Sequence, residues 1–256
     1  MDDLDVADNK NLWKYVDDST MSEVINKDQP SIMQAYVNEF SSKSRSDGMQ
    51  LKESKCKELR ISFSTVKREF DPIIINDKNI EVVQCEKLLG LTISDNLKWN
   101  KHIETVCKKI STRLYFLRQL KRAKLPSKDL LLFYVTCIRP VAEYACEVFH
   151  DSLTKYLSDD LERLQRRACR IILPEHSYED ALNQLGLLSL FDRRQNLTDK
   201  LFRQIVNDPQ DKLHHLLPAL NLSEASLREK RIFQVPNCRT IRFKNDFINF
   251  NSSKYV

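Results

Sequence analysis

The chain has 256 residues, 41% hydrophobic and 30% charged, which is enough length for one large globular domain or two modest ones. Only Gly48, Gly90 and Gly186 are glycine, so the glycine-rich phosphate loops of the common nucleotide-binding folds are excluded. The net charge of +5 is unevenly spread: residues 1–60 hold nine Lys/Arg against twelve Asp/Glu, whereas residues 98–124 hold nine against one.

The opening MDDLDVADNK is acidic and polar, unlike a secretory or transit signal, and the longest apolar run, residues 130–135, is far short of the ~20 residues that cross a bilayer. The nucleus or cytoplasm is the expected location, with no membrane partner. Seven cysteines lie far apart with no CxxC pair, which argues against a disulfide scaffold or a zinc ribbon.

In chain order, residues 12–16 (LWKYV) and 21–25 (MSEVI) read as the strands of a hairpin around the polar turn 17–20. Asp28 and Pro30 open a helix with Ile32, Met33, Tyr36, Val37 and Phe40 at helical spacing, closed by the serine-rich residues 41–48. Residues 59–63, 73–75, 80–83 and 88–93 read as short extended segments, with a turn at Asn76 and Asp77.

After Trp99 the pattern becomes helical. Ile103, Val106, Ile110, Leu114 and Leu117 make one apolar face, and the other carries Lys101, Lys108, Lys109, Arg113, Arg118, Lys121 and Arg122. A second helix starts near Ser127, is apolar almost all round over residues 130–138, and should kink at Pro140. A third, residues 158–173, turns Leu161, Leu164, Ala168 and Ile171 inward and leaves Arg163, Arg166, Arg167 and Arg170 as an arginine stripe. Helical stretches at 178–184 and 190–206 precede a tail broken by prolines and asparagines.

Adjacent carboxylates at a hairpin tip, Asp17 and Asp18 behind Tyr15 and Val16, are a place where Mg²⁺ could be held by fixed hard oxygens. Taken alone, the pair also reads as an ordinary solvated turn. The string LWKYVDDSTMSEV resembles the YxDD motif of reverse transcriptases, and SKCKELRISF their following motif with its lysine at Lys55. VVQCEKLLGLTISDNLKWNKHI resembles the primer grip and first thumb helix of non-LTR (LINE-like) retrotransposon polymerases.

That resemblance implies an α+β chain: a partial antiparallel β palm over residues 1–95, a helical thumb over 96–208 and an irregular tail over 209–256. It implies that Asp17 and Asp18 bind catalytic Mg²⁺ and that Lys55 lies near the pyrophosphate leaving group. Lys55 also reads as a plain surface lysine. Leu88, Leu89 and Gly90 fall at the primer grip, and Tyr15 and Val16 beside the primer terminus. The partners implied are an RNA template, a DNA primer duplex and deoxynucleotides.

Only fourteen residues precede Tyr15, leaving no room for the third aspartate, the fingers or the nucleotide pocket. The expectation is therefore the C-terminal part of an RNA-directed DNA polymerase, inactive as this isolated chain. The alternative is a non-catalytic basic helical module, left by a truncated element, that binds nucleic acid through its lysine-rich helix and arginine stripe.

Overall fold

The computed structural model describes residues 11–66, 68–221 and 232–255, and the chain divides into two compact units between Lys98 and Trp99. In the first unit, β1 (Leu12–Tyr15) and β2 (Asp18–Met21) form an antiparallel hairpin with Tyr15 opposite Asp18. The turn is tighter than the sequence suggests. Val16 and Asp17 alone make it, with Val16 at φ +57°, and Asp18 belongs to the second strand.

Helix α1 (Met33–Ser46) runs on through the serines expected to end it and stops before Gly48, whose φ of +72° suits a residue without a Cβ. The Glu23 carboxylate receives hydrogen bonds from the Ile32 amide at 2.8 Å and the Ser31 hydroxyl at 2.7 Å, satisfying donors at the helix entrance. The inner face of α1 is small: Phe40 packs with Leu12, Met21, Met49 and Leu51, and Val37 with Ile75 and Ile80.

The extended segments do not form one antiparallel sheet. β4 (Ile74–Ile75) and β5 (Lys78–Asn79) make a hairpin, and β7 (Cys85–Leu88) and β8 (Leu91–Ser94) another, while β3 (Lys57–Leu59) pairs in parallel with β6 (Glu81–Val83). Residues 61–66 are not a strand, and residues 88–93 turn back on themselves at Leu89 and Gly90. Positive φ at Asn76 and Asp77, and again at Leu89 and Gly90, gives both two-residue turns the twist that matches their strands. With strands of four residues or fewer among those described, each ladder remains a separate two-stranded piece.

The second unit is helical: α2 (Asn100–Arg122), α3 (Ser127–Phe133), α4 (Arg139–Glu143), α5 (Cys146–Phe149), α6 (Lys155–Ile172), α7 (Tyr178–Leu185) and α8 (Leu190–Asn207). Helices α2 and α6 pack along one another. They run in the same direction, because Trp99 Nε1 donates to Ser152 Oγ at one end and Lys121 Nζ to the Ile172 carbonyl at the other.

Between α3 and α4 the helix widens to a π segment over Tyr134–Ile138. Pro140 supplies no N–H to the preceding turn, and its ring crowds the carbonyl four residues back, so a wider turn takes the place of the expected simple kink. Nor is this stretch buried all round: Leu130, Tyr134 and Ile138 point inward, while Leu132 is exposed. On α6 the innermost residue near the C-terminus is Ile172, with the expected Ile171 only half-buried.

A polar hub ties the later helices to α6. Tyr134 donates to Gln165 Oε1, Gln165 Nε2 donates to the Tyr178 hydroxyl and the Leu188 carbonyl at 2.9 Å each, and Tyr178 donates to Glu162. Glu162 also accepts from the Leu190 and Phe191 amides at 3.2 and 3.1 Å, meeting the first free N–H groups of α8. Ser177 and Ser189 cap α7 and α8 by accepting from Asp180 and Asp192 amides.

The described part of the tail holds more helix than its prolines and asparagines imply. α9 (Ile241–Lys244) and α10 (Phe247–Lys254) follow, and Phe202 of α8 meets the rings of Phe233, Phe247 and Tyr255 at 5.5–6.2 Å. Asn251 Nδ2 donates to Asp151 at 2.8 Å, and Lys254 lies 3.5 Å from Asp199.

Burial pushes the Asp151 carboxyl up to about 6, with the Asn251 bond opposing it, and burial together with the Arg194 charge holds His150 down to about 4. The signs oppose. Asp151, raised above its unfolded value, adds stability that is full below pH ~4 and lost as pH rises through 6; His150, depressed, costs stability as pH falls from about 6.5 to 4. Asp151→Asn should therefore raise stability at pH 7.5 by about 1–2 kcal/mol and change it little at pH 4. Urea denaturation at the two values measures this; equal gains at both would refute the assignment.

Candidate nucleic-acid interface

The amphipathic pattern of α2 sets its outward chemistry. With Ile103, Val106, Ile110, Leu114 and Leu117 all buried, the seven-residue line Lys101, Lys108, Tyr115 and Arg122 stands opposite the core, and all four are exposed. Lys101 and Lys108 share Glu104, at 3.8 and 2.7 Å. Lys109, Arg118, Arg122 and Lys124 are exposed with no ion pair among the described residues.

Two of the expected surface cations are structural instead. Arg113 is half-buried and donates to the Cys137 carbonyl in the π segment, and Lys121 caps the C-terminus of α6 through the Ile172 carbonyl at 3.1 Å. A cation on the margin of an apolar stripe finds a neighbouring helix before it finds solvent.

On α6 the arginine stripe faces outward as its spacing requires: Arg163, Arg166, Arg167 and Arg170 are all exposed. Arg163 pairs with Asp160 at 2.7 Å and Arg166 lies 4.9 Å over the Tyr178 ring, so both are partly engaged. Arg167 and Arg170 carry no partner among the described residues. Because α2 and α6 are parallel neighbours, cations from both lie along the same helix pair.

Tyr115 and Phe116, exposed at 54% and 52%, form an edge-to-face pair with centroids 5.7 Å apart on α2. Sequence reasoning passed over them. Their signal was available, since Ile110, Leu114 and Leu117 already complete the apolar face and leave no inward position for Tyr115. Trp99 is a packing anchor, against His102 and Phe149 at 5.8 and 5.7 Å. Burial and nearby Lys109 keep His102 below the usual imidazole range.

The remaining sequence candidates lie in the first unit. Tyr15, Val16, Asp17 and Asp18 sit together at the exposed tip of the β1–β2 hairpin. Lys55 is exposed at the end of a 3₁₀ turn, Glu53–Lys55, and Leu88, Leu89 and Gly90 make the β7–β8 turn. Among the described residues no group of three or more His, Cys, Asp or Glu is placed to hold a metal ion, His214, His215 and Cys238 included. Nor is any helix among them long and apolar enough to cross a membrane.

The family model that matches the chain describes the N-terminal region of alkylated DNA repair protein alkB homolog 8, over residues 99–139. No curated protein and no solved structure matches the chain. The match is to a family other than the reverse transcriptases, which overturns the retrotransposon resemblance and the polymerase reading drawn from it. The strings behind that resemblance are a tight β1–β2 hairpin, a 3₁₀ turn leading into the short strand β3, and the β7–β8 hairpin leading into α2, each of which local physics can produce without the enzyme.

The division between structural and free cations is testable by stability. Arg113→Gln should cost about 1–2 kcal/mol, because a half-buried carbonyl loses a charged donor. Replacing Arg163, Arg166, Arg167 and Arg170 together by Gln should change stability by less than about 1 kcal/mol. Thermal melts of the two variants side by side check the ordering, and a reversed order would refute it.

Proposed function

We propose that the helical unit is a nucleic-acid-binding module whose cations, on α2 and α6, contact the phosphate backbone. The carrying observation is the charge pattern: nine Lys/Arg against one acid over residues 98–124, with most of these cations outside the core of α2 and the arginine stripe on its parallel neighbour. A polynucleotide is a dense line of negative charge, and cations along two packed helices match it without reading sequence. The matched segment contains α2, and the name of that family, an alkylated-DNA repair protein, supports a nucleic-acid partner.

Binding of this kind releases counterions and weakens steeply with salt. The Arg163, Arg166, Arg167 and Arg170 to Gln variant should flatten the plot of log affinity against log salt by about two to three units, roughly 0.7–0.9 for each phosphate left without its cation. Fluorescence anisotropy from low to physiological salt measures it. An unchanged slope would remove α6 from the interface.

A further inference from the structure

We infer that Tyr115 and Phe116 form a base-stacking platform on α2, so that the preferred ligand is a single-stranded polynucleotide, RNA or DNA, rather than a duplex. The inference rests on the nucleic-acid-binding reading proposed above and deepens it. Both rings are more than half exposed on a helix whose apolar face is already complete, so packing within α2's own stripe does not account for them. Their edge-to-face arrangement, with 73° between planes, does not stack the two rings on each other.

Charge decides the occupant. Tyr115 lies between Lys108 and Arg122 on one line of the helix, about 10 Å from each at 1.5 Å per residue, and Arg118 is exposed one turn on. A partner protein with an apolar face would bury the rings but strip water from these cations without pairing them. A single strand satisfies both, its phosphates meeting the cations and its unpaired bases the rings. In a duplex the base faces are already stacked on each other, and the rings gain nothing.

The test uses the full chain and anisotropy with four strands of equal length: oligouridylate, oligothymidylate, an abasic strand and a duplex. Base-bearing single strands should bind at least about tenfold tighter than the abasic strand, the size expected for a single stacked base. The Tyr115→Ala, Phe116→Ala double variant should lose that advantage while its duplex affinity stays unchanged. Tighter oligouridylate or oligothymidylate binding then identifies RNA or DNA as the source of the single strand. Equal binding of base-bearing and abasic strands by the unaltered protein overturns the stacking platform and leaves the phosphate-binding reading standing. Failure to bind any strand at low salt overturns both.

Discussion

The parallel contact between α2 and α6 is the constraint from which the rest of the helical unit follows. Each helix has one apolar stripe, and neither stripe is stable in water alone, since helices in proteins gain most of their stability from burying such a face against a neighbour. Once Ile110, Leu114 and Leu117 are turned inward on α2, and Leu161, Ala168 and Ile172 on α6, rotation about both axes is set. The positions of Lys108, Tyr115, Arg122, Arg167 and Arg170 on the outside are then a consequence of 3.6-residue periodicity and not of any interaction they make themselves.

The interior carries more polarity than an apolar bundle needs. Arg194 is fully buried, donating to Ser158 Oγ at 2.9 Å, with its Nε 3.4 Å from His150 Nδ1. Its Nη1 has no hydrogen-bond partner among the described residues. Burial lowers the affinity of Arg194 for its proton and also keeps His150 neutral beside it. Cys146 and Cys169, held up to about 12 and 11 by burial, serve as small packed side chains. Glu162 and Gln165 convert similar polarity into geometry by fixing where α7 and α8 begin.

The first unit is built differently, from ladders of two to four residues over two small apolar clusters. Beside these clusters it is held by tight turns, with ion pairs at its surface. Lys78 is bonded to Glu53 and holds that carboxyl down to about 2, and Lys57 meets Glu81 at 2.5 Å across the parallel ladder. Trp13, Tyr15 and Val24 remain largely exposed. In such a region a short motif is weak evidence of chemistry, because Val16-Asp17 closes a hairpin whether or not a metal follows.

The sequence by itself determined the features that depend on neighbours a few residues away. These include the amphipathic stripes of α2 and α6, the Asn76-Asp77 turn, the hairpin around Asp17 and the outward arginine stripe, since 3.6-residue and two-residue periods and turn propensities act locally. Tertiary structure alone decided which cations are free. Arg113 and Lys121 look the same as Lys109 and Arg118 in the chain, and differ only because the Cys137 and Ile172 carbonyls come within reach. It also decided the parallel pairing of β3 with β6, the docking of α10 on α8 and the absence of one continuous sheet among the described residues. Those outcomes turn on contacts between residues distant in sequence, whose free energy depends on what each surface meets, and no local pattern encodes that meeting.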